Sequence, residues 1–448
     1  MAVGEEAALT RSRYQAALRQ PCGTPRASGG ALWAYHGAVL RRRLLQGTLL
    51  AGTGAALWAW VRFERLMAPS ALGALEGGGA IPRSDAAQRL VDGLIQDLGG
   101  RPLLDVHAHL AGRGPDSGCW TNPRLDDPTS PVDLVRGRAF RAAGLPAADA
   151  EDEAWVDHLG ALAAALPFPS EHHLLAFDYR YGAGGERDLE RSEFHVPNDW
   201  SGAAAARWPS RLAAAGSVHP DRPDALEELD RLAEAGVRLV KWLPSAMGID
   251  PAAERHQAFY ERLAERGLWL LVHTGEERAV GDASEADWNQ PMRLRSALRA
   301  GARVVVGHCA AGGAYPDPDV QGAPRTPAVE LFLRLLEEFA ETGRVAGEIS
   351  TVCNVNHFAG ALPPLLARPD LHQHLLNGSD WPLPAVGPLV FLSPLVRSGF
   401  LPEDDLGALR ELFDENPLLF DVVLKHRVRH PETGERFGAQ LWRSEAWG

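Results

Sequence analysis

Two histidines separated by one residue are the part of this sequence best suited to chemistry. His107 and His109 end an apolar run, residues 103–109, that fits a buried β-strand. Because alternate side chains of a strand share a face, both imidazoles point the same way and can bind one metal ion. Such an ion lowers the pKa of a bound water from about 15.7 towards 7, which makes hydroxide available at neutral pH. The pair therefore predicts a metal-dependent site.

Similar apolar runs recur downstream, and several carry or end in a residue that can bind metal or move protons. Six such residues follow one another at intervals of 22, 32, 35, 40 and 32 positions. A strand, a helix and two loops occupy about 30 residues or more, so these intervals fit a repeated βα unit. The six residues are His219, Lys241, His273, His308, Glu348 and Asp380.

The segments between these runs have the periodicity of amphipathic helices and end at glycine. Leu226, Leu229 and Leu232 share one face of a predicted helix that stops before Gly236. With residues 173–180 as the second strand, the count of strands is eight. The sequence therefore predicts an α/β fold, a (β/α)₈ TIM barrel, whose active site lies at the C-terminal ends of the strands. An open, doubly wound sheet would not collect polar residues at six strand ends.

Five segments, in order and at barrel spacing, make residues 100–425 resemble the amidohydrolase superfamily. Within it, the chain is most similar to the branch that includes aminocarboxymuconate-semialdehyde decarboxylase. The segments are DVHAH, VKWLP, LVHTGEE, VVGHC and NGSDWP. The resemblance implies a divalent metal with His308 close by. The implied ligands are His107, His109, His273 and Asp380.

Three imidazoles and one carboxylate suit zinc best, with manganese or iron as alternatives. Asp380 is expected to accept the proton of an attacking water, and His308 to polarise the substrate or act as a general acid. Glu348 is expected either to accept a hydrogen bond from a ligand imidazole or to lie in solvent or cap a helix.

Lys241 leaves two versions of the site open. In binuclear members of the superfamily, a lysine on the fourth strand is carboxylated and bridges two metals. The branch that this chain resembles works with one metal, and an uncarboxylated Lys241 would then bind an anionic group of the substrate. We favour one ion over two.

The predicted reaction is hydrolysis of an amide, ester or lactone carbonyl by metal-activated water. The alternative is a metal-dependent, non-hydrolytic decarboxylation of a small carboxylic acid, in which Asp380 and His308 manage proton transfer at carbon. Both reactions use one set of ligands, so the sequence leaves the choice open.

Long inserts after the first and second strands are predicted to build the substrate pocket. About 60 residues, 110–171, separate these strands, and about 30 more precede the third. Besides Lys241, the residues expected to contact substrate are Arg180, His195, Asn198 and His219, and for His219 a structural role is left open. Five other histidines are expected at the surface: His172, His173, His357, His372 and His374.

Charge is unevenly distributed along the chain. Residues 1–65 carry nine Arg and three Glu, a balance of +6, whereas the whole chain carries −13, which leaves −19 on residues 66–448. An acidic body argues against a nucleic-acid surface. The expected partner is a small-molecule substrate, and self-association into a homo-oligomer is left open. The predicted domains are an N-terminal segment, 1–67, a linker, 68–95, and a barrel domain with a C-terminal extension, 96–448.

The N-terminal segment predicts association with a membrane. Arg41, Arg42 and Arg43 precede 18 uncharged residues, 44–61, and a helix of that length reaches about 27 Å, close to the thickness of a bilayer core. The arginines also resemble a bacterial twin-arginine export signal. Either an uncleaved anchor or such a signal places the protein in the bacterial cell envelope, and a cytoplasmic protein is the alternative.

Overall fold

Eight short parallel strands form the centre of the part of the chain that the structure describes. The computed structural model describes residues 83–114, 116–126, 129, 152–277, 280–281, 283–386 and 389–447. The strands are β1 (Leu103–His109), β2 (Ser170–Leu175), β3 (Leu212–Ala215), β4 (Leu239–Trp242), β5 (Trp269–Val272), β6 (Arg303–Val306), β7 (Val345–Glu348) and β8 (Leu375–Leu376).

Neighbouring strands pair in chain order and close into a barrel. β1 to β3 form one parallel run, and β4 to β8 form another. A bridge between Gly216 and Val240 joins the end of β3 to β4, and a bridge between Ala108 and Trp381 joins β1 to the segment after β8. The predicted TIM barrel is therefore confirmed, and the C-terminal ends of the strands meet at one face.

Helices lie between the strands, before β1 and after β8, and the helix Ala225–Glu234 ends before Gly236 as the sequence predicts. In the described residues the α-helices are α1 (Asp85–Leu98), α2 (Asp152–Ala164), α3 (Asn198–Arg207), α4 (Ala225–Glu234), α5 (Pro244–Met247), α6 (Gln257–Arg266), α7 (Arg295–Arg299), α8 (Ala328–Phe339), α9 (Phe358–Leu366), α10 (Leu392–Arg397), α11 (Leu406–Glu415), α12 (Pro417–Arg427) and α13 (Ala439–Trp442). Gly236 and Gly267 follow α4 and α6 with φ angles of 82° and 66°. Glycine adopts this left-handed conformation without steric cost, so it stops a helix and redirects the chain.

Apolar side chains fill the barrel interior down to its N-terminal end. Leu239 and Leu271 belong to this inner cluster, which Trp447 of the C-terminal extension joins. The Trp447 ring stacks on that of Trp269, the first residue of β5, with centroids 5.7 Å apart. The Arg238 guanidinium lies 4.9 Å from the Trp447 ring centroid. Trp447 of the C-terminal extension thus packs against the barrel at its N-terminal end.

Two predicted boundaries are wrong where the structure describes them. Residues 85–95 belong to α1 and not to a linker, because Leu90, Val91 and Leu94 form a buried apolar face that the glycine-rich stretch before them obscures. The second strand is Ser170–Leu175 and not 173–180. Its pairing with β3 ends at Ala215, so the residues after Leu175 turn into the connecting loop.

Three histidines that we expected at the surface are buried: His172, His173 and His372 are each 2% exposed or less. His172 Nδ1 lies 2.8 Å from Asp105 Oδ2, and His372 Nε2 donates to the carbonyl oxygen of Leu365 at 3.0 Å. Strands of a parallel barrel are covered on both faces, so a position on such a strand does not place a side chain in solvent.

The predicted membrane segment, 44–61, lies outside the described residues, as do the rest of 1–82 and residues 130–151 of the first insert. In the part of the chain that is described, no helix is both long enough and apolar enough to cross a bilayer. The anchor, the export signal and the cell-envelope location stay predictions.

Candidate metal centre

His107, His109 and Asp380 each bring one ligand atom to a common point at the C-terminal end of the barrel. Asp380 Oδ1 lies 3.4 Å from His107 Nε2 and 3.0 Å from His109 Nε2. The ligand atoms of the three residues all lie within 4.8 Å of one another. The His107 side chain is fully buried, whereas that of His109 is 32% exposed. The cluster is therefore open on one side, as a catalytic metal site must be.

Glu348 at the end of β7 fixes the orientation of the His107 ring. Its Oε1 lies 2.9 Å from His107 Nδ1, and both side chains are fully buried. Because Nδ1 donates its proton to the carboxylate, Nε2 keeps its lone pair for a metal ion. Of the two alternatives for Glu348, the hydrogen bond to a candidate ligand imidazole is confirmed.

His273 and His308 form a second pair of imidazoles next to these ligands. His308 Nε2 lies 3.0 Å from His273 Nδ1, and the His107 and His308 ring centroids are 4.9 Å apart. His273 Nε2 is buried without a hydrogen-bond partner, 3.4 Å from Glu277 Oε2. The resemblance implies His273 as a fourth ligand, but the structure places it against His308 and not among the first three. A buried ring nitrogen that makes no hydrogen bond nevertheless fits a metal site.

Lys241, on β4, points its ammonium group into the same cluster. The residue is fully buried, and its Nζ lies 3.1 Å from His107 Nε2. No carboxylate among the described residues lies within ion-pair distance of Nζ, although Asp380, Glu348 and Glu277 act on it electrostatically from farther away. A cation is thus held at the base of the site without a direct counter-ion.

Burial sets the protonation states of the cluster. It lowers the pKa of His308 to about 4 and holds that of His273 well below its ordinary value. Burial raises the pKa of Asp380, but the interactions with His107, His109 and His308 outweigh it and hold that pKa well below its usual range. At neutral pH the imidazoles of His273 and His308 are therefore neutral and the Asp380 carboxylate is ionised, which are the states that metal ligands require.

Asp105 supports the cluster from below and was missed by our sequence analysis. Its carboxylate accepts hydrogen bonds from the backbone N–H groups of His107, at 3.1 Å, and Ser379, at 2.8 Å. It is 1% exposed. The sequence does point to this role, because an acidic residue in the middle of an apolar strand must find buried hydrogen-bond donors. No such pattern points to Ser350, whose Oγ lies 2.7 Å from His308 Nδ1.

Two of the residues predicted to contact substrate are engaged within the protein. His219 uses both ring nitrogens, with Nε2 2.8 Å from the carbonyl oxygen of Met247 and Nδ1 accepting from the Asp221 N–H at 3.1 Å. Its contacts therefore favour the structural role. The Arg180 guanidinium forms a two-pronged ion pair with Glu285. This pair ties the loop after β2 to the loop after β5.

The other two, His195 and Asn198, line a separate polar cavity of about 380 Å³ near the ends of β2 and β3. The Asn198 side chain also holds the backbone of Ser217, accepting from its N–H at 2.8 Å. Within the described residues, no hydrogen bond or ion pair links His195, Asn198, His219 or Arg180 to the histidine cluster. Their contact with substrate stays a prediction.

Comparisons with known proteins identify the family. A family model described as amidohydrolase matches residues 104–418. No curated protein sequence matches the chain. Among similar solved structures, an uncharacterised TIM-barrel protein from Bordetella bronchiseptica is 14% identical, with 72% of this chain and 99% of that chain covered and a TM-score of 0.44. 5-Carboxyvanillate decarboxylase from Sphingomonas paucimobilis is 16% identical, with 70% and 98% covered and a TM-score of 0.40. A zinc-bound amidohydrolase from Burkholderia multivorans is 16% identical, with 77% and 99% covered and a TM-score of 0.42. The chain belongs to the amidohydrolase family of metal-dependent enzymes.

Proposed function

We propose that the protein is a metal-dependent carboxy-lyase that removes carbon dioxide from a small carboxylic acid. The buried ammonium group of Lys241, 3.1 Å from His107 Nε2, carries this proposal. A buried charge without a counter-ion is costly, so a site that holds one is suited to an anion. A substrate carboxylate lying between Lys241 and the candidate ligands would supply that anion.

One divalent ion fits the cluster better than two. His107, His109 and Asp380 offer three convergent ligand atoms. A second convergent group among the described residues, His107, His308 and Glu348, is fully buried and shares His107 with the first, and in it Glu348 already accepts the hydrogen bond of His107 Nδ1. With one ion, Lys241 has no second metal to bridge and need not be carboxylated. Burial lowers its pKa to about 8, so it stays mostly protonated at neutral pH. Zinc suits these nitrogen and oxygen ligands, and manganese is the nearest alternative.

Decarboxylation breaks the bond from carbon to the carboxylate and delivers one proton to that carbon. Asp380, which lies 3.0 Å from the partly exposed His109, and His308 in the neighbouring imidazole pair would deliver it. Because both have a lowered pKa, neither stores a proton at neutral pH, and each would relay one that arrives with the substrate or from solvent past His109. A bound divalent ion would supply a Lewis acid for the substrate oxygen that it meets.

Hydrolysis of an amide, ester or lactone is the second candidate, and the ionised state of Asp380 favours it. A general base that takes a proton from water must be unprotonated at working pH. In that version, carboxylation of Lys241 would remove the buried positive charge, so no anionic substrate would be needed. The similar solved structures include both a decarboxylase and an amidohydrolase, so they do not choose between the reactions.

Product analysis tests the proposal. The protein, loaded with zinc or with manganese, is incubated in water labelled with heavy oxygen. The substrates are a series of small hydroxycarboxylic acids and a matched series of esters, amides and lactones. We expect release of carbon dioxide with no heavy oxygen in the organic product. Heavy oxygen in a product carboxylate, without carbon dioxide release, would replace the lyase with the hydrolase.

Chemical rescue of Lys241→Ala separates the two roles of the lysine. If Lys241 binds the substrate as an ammonium ion, short alkylammonium ions should restore activity because they fill the vacated space with a positive charge. If Lys241 is a carboxylated bridge, short carboxylic acids should restore activity instead. Arg187→Ala, which removes an arginine from the separate polar cavity, serves as the control that neither additive should affect.

A further inference from the structure

Lysine is almost absent from this chain. Of its 45 lysines and arginines, only Lys241 and Lys425 are lysines. Both are fully buried, whereas the most buried arginine of the described residues, Arg180, is 6% exposed. The chain therefore uses arginine wherever a basic side chain reaches solvent and keeps lysine at two interior positions. Lys241 lies in the candidate metal centre, and Lys425 has no part in the reaction proposed above.

Lys425 links the last long helix of the barrel to the strand that leads to Asp380. It lies on α12, and its Nζ donates to the carbonyl oxygen of Gly378 at 2.6 Å and to Asp421 Oδ2 at 2.5 Å. Gly378 stands two residues before Asp380. The ammonium group thus binds the outer side of the turn formed by residues 377–380. The inner side of the same turn carries Asp380, a candidate metal ligand.

This turn has little freedom to move without moving the site. A Cβ on Gly378 would lie 2.4 Å from Glu348 Oε2 and 2.9 Å from His107 Cβ, so the backbone passes directly behind the ligand. Asp380 has a φ of 56°, which is strained for a residue other than glycine and persists only when its surroundings hold it. On the inner side its N–H donates to the carbonyl oxygen of His107 at 2.6 Å.

An ammonium group fits this position and a guanidinium does not. The three N–H bonds of lysine radiate from one atom, so they can reach one carbonyl and one carboxylate in a small space. Arginine presents five donors on a wide plane, and with no solvent at this position several would be left unpaired. Shape and hydrogen bonding thus favour lysine over arginine at this position, in a chain whose lysines and arginines are all arginines apart from Lys241 and Lys425.

We infer that Lys425 is a positioning residue that sets the turn of residues 377–380 and thereby the place of the Asp380 carboxylate in the metal centre. The inference rests on the proposed metal centre but not on which reaction occurs there. Loss of the contact should weaken metal binding even when the fold is intact. Partners that orient metal ligands in this way are worth about 10–100-fold in metal affinity.

Zinc affinity of the full-length chain tests the inference. The double variant Asp421→Leu, Lys425→Met removes the ion pair without leaving a buried carboxylate unpaired, a change that folds often tolerate. We expect its zinc dissociation constant to rise about tenfold or more. The matched control is Arg427→Met on the same helix, which breaks the ion pair with Asp405 and should bind zinc as the unmodified chain does. A folded double variant with unchanged zinc affinity would overturn the inference.

A second measurement needs no folded variant of Lys425. Isotope-labelled lysine gives two side-chain signals by magnetic resonance, and Lys241→Ala assigns them. Zinc is expected to shift the Lys425 ammonium signal, because the Gly378 carbonyl moves with Asp380, and a purely structural ion pair would not respond. A Lys425 signal that stays in place at zinc saturation would also overturn the inference. Failure of the unmodified chain to bind zinc would instead count against the metal centre itself.

Discussion

At the C-terminal end of the barrel, polar groups converge and the backbone is strained, whereas at the N-terminal end aromatic rings stack in ordinary geometry. His308 and Asp380 both have positive φ angles, 55° and 56°, and their side chains contact other imidazoles of the cluster. At the other end, Trp447 and Trp269 stack with an interplanar angle of 12°. A convergent polar site at one end and apolar packing at the other are the expected division between function and stability in this fold.

Mutations at the two ends of the barrel should therefore have different effects. Changes at the C-terminal end should remove metal and activity while the fold persists, because the barrel is held by apolar layers below the site. Changes at the N-terminal end should lower the free energy of unfolding while zinc binding persists. Three groups of variants test this: loss of cluster histidines and substitution of His219, both near the C-terminal end, and substitution of Trp447 at the N-terminal end.

The largest effect is expected from loss of a candidate ligand. His107→Ala and His109→Ala should each reduce zinc affinity and activity by more than the roughly 10–100-fold that loss of a supporting hydrogen bond costs. Elemental analysis of metal per chain, with activity and thermal unfolding, checks this. His308→Asn should keep the metal of a one-ion site and lose activity, since the asparagine cannot carry a proton as the imidazole does.

The control for these variants is His374→Ala, a half-buried histidine outside the cluster. It should keep full zinc content. One zinc per unmodified chain is expected, and two would favour the carboxylated Lys241 bridge. Full zinc in both His107→Ala and His109→Ala would remove the proposed site.

The sequence predicts the barrel and most of the cluster because both depend on periodicity. His107 and His109 share a face by strand alternation, and His308 and Asp380 follow apolar runs whose ends must meet at one face of a barrel. Each of these placements requires only local pattern and a closed topology. The same reasoning leads to Glu348, whose hydrogen bond to His107 joins two strands that are distant in the sequence.

What the sequence does not predict depends on contacts that no local pattern records. Lys425 on α12 donates a hydrogen bond to the carbonyl oxygen of Gly378, which follows β8. Trp447, near the end of the chain, belongs to the inner apolar cluster. His172 looks like a solvent histidine at a strand start, but it lies buried against Asp105. Prediction of these requires the relative placement of elements in three dimensions, which the amphipathic pattern of each element leaves undetermined.

A smaller effect, on stability alone, is expected at the N-terminal end. Trp447→Ala removes a ring that is 7% exposed and that stacks on Trp269. We expect the free energy of unfolding to fall by about 3 kcal/mol, with the zinc dissociation constant unchanged, as measured by urea denaturation and zinc titration. Trp447→Phe keeps part of the stacking and should lose less. Reduced zinc affinity in either variant would contradict the separation of the two ends.

A pH-dependent change in stability is expected at His219, a residue near the C-terminal end of the barrel whose contacts serve stability. Burial lowers the pKa of His219 from 6.5 to about 4, and the residue is fully buried. Since its folded pKa lies below its unfolded pKa, its contribution is complete above about pH 6.5 and is lost as the pH falls towards 4. Between pH 6.5 and 5.5 this amounts to about 1 kcal/mol.

His219→Gln removes this titration. In urea denaturation of the metal-free protein, the variant should lose about 1 kcal/mol less stability than the unmodified chain between pH 6.5 and 5.5, although it is less stable at pH 7 because its amide replaces the bond to Met247 imperfectly. The other buried histidines are common to both proteins, so the difference between the two curves isolates His219. Parallel curves would mean that His219 is already neutral in the unfolded state or charged in the folded one. A fall in zinc affinity would instead assign His219 to the metal centre. The part of the barrel that serves function would then include a histidine whose ring contacts indicate only a structural role.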